Sequence, residues 1–218
     1  MTRARLVLFA KEPAPGHVKT RLARVIGAGQ AAALYQAFLT DLAAALVAPA
    51  WESVLAADGS GTGGLDRIFA SGWSRSTQGN GSLGDRLAHA VTAAFDEGAE
   101  KVVLAGSDAP TLSAADVEAA FAALDGADLA VAPARDGGFT LAALRFPANP
   151  SELFGTVRWS TEFTLSDLRR NAVAARLEMA LLPEIPDIDV AEDLPALCRS
   201  LARDRRLAPA TRAILGTL

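Results

Sequence analysis

Reactive and metal-binding side chains are scarce in this chain of 218 residues, which has one cysteine, two histidines, three lysines and one tyrosine. Cys198 has no partner for an internal disulfide, and with His17 and His89 as the only histidines a zinc site of Cys/His type is all but excluded. Long apolar runs are also missing. Leu6-Val7-Leu8-Phe9-Ala10 extends for five residues before Lys11, too short for the core of a signal peptide, and residues 42–51 fall well short of the roughly 20 that a membrane helix needs. A cytoplasmic protein with no membrane partner is therefore expected. Three motif placements are missing as well. There is no Gly-x-Ser-x-Gly elbow, no Gly-x-Gly-x-x-Gly after the first apolar run, and no Walker A loop, because Val18 stands where that motif needs its second glycine.

Half of the residues are hydrophobic and 21% are charged, the balance of an ordinary soluble globular protein. At this length roughly 70% of the extended chain's surface is buried on folding, so one domain over residues 1–218 needs no staple. The net charge of −4 hides an asymmetry: residues 1–24 carry six cations against Glu12 alone, which leaves −9 for the remainder. Nucleic-acid surfaces spread their cations along a face, whereas an acidic bulk with one basic loop suits a small anionic ligand held at one point. Arg fills 18 of the 21 basic positions, yet two of the three lysines, Lys11 and Lys19, fall in that loop, where they act as compact point charges.

Residues 5–10 read as a buried strand, and residues 28–47 as a long helix with Leu34, Phe38, Leu42 and Leu46 four apart. Further strands are expected at 53–57, 73–78, 101–105, 128–132, 139–144 and, as an edge, 177–182. Helices are expected at 65–70, at 82–97 with Gly98 just past the end, at 113–124 behind a Ser113/Asp116 capping box, at 161–171 and from 191. A glycine-rich turn spans 58–64, a proline-broken loop runs to Pro150, and the basic residues 199–212 read as a solvated helix. Strands alternating with helices call for a mostly parallel sheet covered on both faces, with ligands at the carboxyl ends of the strands.

Three groups of residues follow strand ends. Residues 9–22 place Ala10, Lys11, Gly16, Lys19, Thr20 and Arg21 ahead of a helix start. Backbone N–H groups, a helix N-terminus and three cations are the parts of a phosphate cradle; a solvated basic turn is the alternative. Gly106-Ser107-Asp108-Ala109-Pro110 delivers a carboxylate to a strand end, where Mg²⁺ or Mn²⁺ uses one or two protein carboxylates beside phosphate oxygens and water; capping of the next turn is the alternative. Asp136-Gly137-Gly138 and Asp187-Ile188-Asp189 are acidic turns, and Asp-Gly is also the commonest turn dipeptide. Asp189 completes a metal site with Asp108 if the late chain folds back over the cleft. Gly84, Asp85 and Arg86 lie in a glycine-rich approach to a helix and suit either a closely approaching ligand or a helix cap. Trp159 and Thr161 can face a sugar or base, though a lone Trp is more often core.

In order, Phe9-Ala10-Lys11-x-Pro13-x-Pro15-Gly16-x-Val18-Lys19-Thr20-Arg21-Leu22, Leu34-Tyr35, Gly84-Asp85-Arg86, Gly106-Ser107-Asp108-x-Pro110, Asp136-Gly137-Gly138-Phe139, Trp159-Ser160-Thr161 and Asp187-x-Asp189 form a recognisable set. With them the chain resembles a bacterial GT-A-type glycosyltransferase family of the nucleotide-diphospho-sugar transferase superfamily, one whose label links it to arsenosugar biosynthesis. The likeness covers residues 5 to about 197. It implies a Rossmann-like three-layer α/β/α sandwich with a mostly parallel mixed sheet and a nucleotide across its first half. It also implies phosphates on Lys11, Lys19 and Arg21 and a metal on Asp108. Ser107-Asp108 stands where many of the superfamily have Asp-x-Asp, so a single acidic ligand is present there. The loop ending Lys19-Thr20-Arg21-Leu22 is also similar to that of 2-phospholactate guanylyltransferase and, more distantly, of molybdenum-cofactor guanylyltransferase.

The expectation is a metal-dependent transferase with a nucleotide-activated donor, foremost a nucleotide sugar, and a small acceptor. Asp108 and Asp189 hold Mg²⁺ or Mn²⁺. Ala10, Lys11, Gly16, Lys19, Thr20, Arg21, Gly84, Asp85 and Arg86 hold the nucleotide. Asp136 is the general base, with Gly137, Gly138, Trp159 and Thr161 on the acceptor side. Nucleotidyl transfer from a nucleoside triphosphate, with release of pyrophosphate, competes with this reading, as does a non-catalytic nucleotide-binding module. Monomer and homodimer both suit the sequence.

Overall fold

Leu6, Val7 and Leu8 have no polar residue among them, and they place β1 (Ala4–Ala10) inside a sheet buried on both faces. The computed structural model describes residues 3–59 and 63–217, so residues 60–62 of the expected glycine-rich turn lie outside the described residues. After β1 come α1 (Thr20–Ile26), α2 (Ala28–Ala45), β2 (Glu52–Ala57), α3 (Gly64–Ile68), β3 (Ser74–Thr77), α4 (Leu83–Asp96), β4 (Lys101–Gly106) and α5 (Ala114–Ala123). The second half adds β5 (Leu129–Pro133), β6 (Phe139–Arg145), α6 (Pro150–Phe154), α7 (Thr164–Ala174), β7 (Met179–Leu181), α8 (Leu194–Arg203) and α9 (Pro209–Leu215).

The strand order is β3-β2-β1-β4-β6-β5-β7. β1 pairs in parallel with β2 and β4, as do β2 with β3 and β5 with β7, while β6 runs antiparallel between β4 and β5. The chain therefore forms the expected three-layer sandwich around a mostly parallel mixed sheet. Alternation along β1 splits the core. Leu6 and Leu8 pack with Leu22, Phe38, Val117 and Leu197 on one face, and Val7 packs with Val91, Phe154 and Leu168 on the other. Both capping boxes form, Ser82 with Asp85 ahead of α4 and Ser113 with Asp116 ahead of α5. No helix among the described residues is long and apolar enough to cross a membrane.

The expected loop runs to Asn149, and Pro150 then opens α6, a helix the sequence reading did not assign: the first N–H there needs no partner, and Asn149 caps it by accepting from the Ser151 N–H. Two expectations need correction. α7 starts at Thr164 rather than 161, because the Thr161 hydroxyl donates to the Arg158 carbonyl and accepts from the Phe163 N–H, which holds a turn there. The basic tail is not a solvated helix. It breaks after Arg203, and α9 docks on α2 with Thr211 fully buried, its N–H and hydroxyl and the Ala210 N–H all donating to Asp41.

Candidate functional site

Neighbouring parallel strands deliver their following loops to the same side of a sheet. The loops after β1 and β4 do so here and border a cleft of about 520 Å³, completed by the turn before β6, Trp159 and the chain at Asp187 and Asp189.

Lys19 lines this cleft. Its backbone is left-handed (φ 48°) just ahead of α1, and its side chain is 2% exposed. The ammonium pairs with Asp108, lies 3.4 Å from Asp189 Oδ1, donates to the Ile188 carbonyl at 2.6 Å and stands 5.8 Å from the centre of the Phe38 ring. Arg21 Nη1 reaches Asp189 Oδ2 at 3.3 Å. The late chain does fold back over the cleft: the Ile188 N–H donates to the Asp108 carbonyl at 2.9 Å, and Asp193 accepts the N–H groups of Asp189 and Val190. Asp108 and Asp189 thus share one cation.

A second link joins the two loops. The buried Tyr35 hydroxyl accepts the Lys11 N–H at 3.1 Å and lies 2.7 Å from Ser107 Oγ. Burial, with the Asp108 carboxylate adding, pushes this phenol above its ordinary value, so it stays neutral. Tyr35 in its helical spacing reads as core; it is the sole tyrosine and belongs to the Leu34-Tyr35 pair of the recognisable set, but neither mark assigns it to the site.

On the far side Asp136 is exposed, and its Oδ1 accepts the Gly138 N–H at 2.8 Å. Asp187, unassigned by sequence reasoning, is half-buried and has its carboxyl pushed up to about 6 by burial and by Asp136. Asp189 adds to this, while its own backbone N–H and Lys19 oppose it. Trp159 meets Phe139 edge-to-face at 5.9 Å, and with Phe9, Leu83 and Leu87 these rings give the cleft an apolar wall.

Ala10, Lys11, Lys19, Thr20, Arg21, Asp108, Asp136, Gly138, Trp159 and Asp189 all line the cleft. Six other expected residues do not. Gly16 is exposed in the loop at φ 81°. A methyl on Gly84 would lie 2.6 Å from both the Phe154 carbonyl oxygen and Trp159 Nε1, so packing accounts for that glycine. Asp85 caps α4, held below the usual carboxylate range by Ser82, and Arg86 donates to the Gly81 carbonyl. Gly137 abuts Glu162, and Thr161 stabilises the turn before α7.

No cluster of three or more Asp, Glu, His or Cys among the described residues forms a cage for a metal ion. Asp108 and Asp189 nevertheless fit an ion that shares its coordination with phosphate. They converge on one cation and are 52% and 46% exposed, and hard divalent ions take one or two carboxylates beside phosphate oxygens and water.

Residues 41–161 match the family model described as "Uncharacterized protein conserved in bacteria (DUF2064)". No curated protein matches the sequence. The whole chain is similar to 95% of the crystal structure of a "putative nucleotide-diphospho-sugar transferase" from Desulfovibrio desulfuricans G20, at 32% identity and a TM-score of 0.91. At 13% identity and a TM-score of 0.55, 93% of it matches the full length of a CMP:2-keto-3-deoxy-manno-octonic acid synthetase complexed with CTP. At 11% and 0.58, 92% of it matches 99% of a 4-diphosphocytidyl-2C-methyl-D-erythritol synthase from Anaerococcus prevotii DSM 20548. The last two share the fold.

Proposed function

The chain belongs to DUF2064, a family of uncharacterized proteins conserved in bacteria, and from that premise we propose that it is a nucleotide-using transferase whose donor is a nucleotide sugar. The observation that carries the reading is the convergence of Lys19, Asp108 and Asp189 in a cleft at the carboxyl ends of β1 and β4. The relative from Desulfovibrio desulfuricans, described as a "putative nucleotide-diphospho-sugar transferase", supports it.

Lys11, Lys19 and Arg21 orient and neutralise the diphosphate, and the buried Lys19 acts where water screens least. Asp108 and Asp189 would hold Mg²⁺ or Mn²⁺, and the ion would supply positive charge to offset that building on the leaving diphosphate. An acceptor hydroxyl loses its proton to Asp136 as its oxygen bonds to the anomeric carbon. The bond from that carbon to the diphosphate breaks, and the nucleoside diphosphate leaves with the electron pair. Trp159 and Phe139 offer an apolar face to a sugar ring. The acceptor is a small hydroxylated molecule.

A second reading, nucleotidyl transfer from a nucleoside triphosphate, is favoured by the three cations Lys11, Lys19 and Arg21 around one cleft, enough for a triphosphate. A thermal-shift panel with Mn²⁺ separates the two, because a ligand that binds the native state raises the melting midpoint by mass action. A larger shift with one nucleotide sugar than with any nucleoside triphosphate is expected. The reverse order moves the assignment to nucleotidyl transfer, and no shift with either class refutes the site.

A further inference from the structure

We infer that the Lys19 ammonium is a resident counter-ion between Asp108 and Asp189, and that a divalent ion displaces it only when a polyphosphate arrives to give that ammonium a new anion. The inference rests on the metal assignment proposed above, and its first test reads metal binding without any nucleotide.

The Lys19 side chain is 2% exposed, with the Phe38 ring 5.8 Å away, and its charge is balanced by Asp108 and Asp189. The Ile188 carbonyl accepts one N–H at 2.6 Å but supplies no net charge. A buried ammonium stripped of its counter-ions is strongly destabilising, because it has lost hydration and regains nothing for it. A dication seated on the same two carboxylates would do more than remove them. It would repel the ammonium at close range in a poorly screened site. Lys19 is ill placed to escape into water, since its side chain is 2% exposed between Asp108, Asp189 and the Phe38 ring. Arg21 differs: its side chain is 66% exposed, and it can leave Asp189 for a phosphate at little cost.

Metal and ammonium therefore exclude each other at this point until phosphate oxygens reach Lys19. Phosphate and metal then bind with positive coupling, and the coupling is reciprocal, so each tightens the other. The cleft admits metal together with its polyphosphate, and at other times Lys19 stays paired with Asp108 and Asp189.

Mn²⁺ binding to the full chain, read by electron paramagnetic resonance of the free ion, tests this. Without nucleotide, Lys19→Met, similar in length and neutral, is expected to bind Mn²⁺ at least ten-fold more tightly than wild type, while Lys19→Arg behaves as wild type. Equal or weaker binding by a folded Lys19→Met overturns the inference. A second measurement needs no substitution. With three lysines in the chain, ¹⁵N-lysine NMR shows at most three ammonium signals, and the buried, ion-paired Lys19 is the one shielded from exchange. Its shift is expected to stay unchanged with Mg²⁺ alone and to move when inorganic pyrophosphate is added with Mg²⁺. Movement with Mg²⁺ alone, or none with both, overturns the inference. If every nucleotide sugar and triphosphate fails to bind, the proposed function falls while the Mn²⁺ comparison stays decisive for Lys19.

Discussion

Replacing Gly137 by alanine is expected to destabilise the protein through the loop that carries Asp136. Gly137 has φ 86°, and a methyl there would sit 2.3 Å from the Glu162 carbonyl oxygen and 2.7 Å from its carbonyl carbon and Cα. These are backbone atoms just ahead of α7. The Leu165 N–H also donates to the Gly137 carbonyl at 2.9 Å, so the two segments cannot separate without losing that bond. The left-handed conformation costs an alanine roughly 1–2 kcal/mol. Overpacking against a backbone that cannot yield adds about 1–3 kcal/mol. The combined loss of about 2–5 kcal/mol corresponds to a melting midpoint lower by roughly 5–15 °C for a chain of this size. Urea unfolding followed by circular dichroism measures it, with Gly126→Ala as the control: nothing lies within 4 Å of a methyl there, and the change should stay within about 0.5 kcal/mol. A Gly137→Ala protein as stable as wild type, or a matching loss in Gly126→Ala, refutes the reasoning.

Two other sites test what holds the fold. Asp41→Ala removes the acceptor for three donors at the start of α9 and is expected to cost about 2–4 kcal/mol, from the lost cap and the orphaned Thr211 groups. Hydrogen exchange should then speed up first in residues 209–215, and unchanged protection there would contradict the docking. Asp167 is buried and held well below the usual carboxylate range, chiefly by the Arg158 side chain, then by the Arg158 N–H and Arg170. A depressed native value means that its contribution is present above the unfolded value of about 4 and is lost as pH falls below it. The urea midpoint is expected to drop between about pH 5 and pH 2, less steeply in Asp167→Asn; an unaltered slope in that variant would count against the assignment.

Short-range features were legible in the residues alone. Ser82 with Asp85, Ser113 with Asp116, and Gly98 at φ 88° act within one helical turn, so the side-chain types suffice to mark them. The apolar runs of β1 and β4 and the cations that follow β1 were likewise readable, and they point to the side of the sheet where the cleft lies. Gly84, Asp85 and Arg86 suit either a ligand or a helix cap by spacing, and the structure gives them a cap, a bond to Gly81 and the packing of Trp159 outside the cleft lining.

Pairings across the chain belong to the tertiary structure. Asp189 meets Lys19 from 170 positions away, Thr211 meets Asp41 at the same separation, and Tyr35 meets Ser107 across 72. Neither periodicity nor charge balance ranks one such partner above another, because any acid in the chain could pair with Lys19 as far as its type is concerned. Strand order selects among them: β4 beside β1 brings Asp108 to Lys19, and the chain beyond β7, crossing back to the Asp108 carbonyl, brings Asp189. The basic loop is a property of side-chain chemistry, and the charge network that makes it a candidate site is a property of how the sheet is ordered.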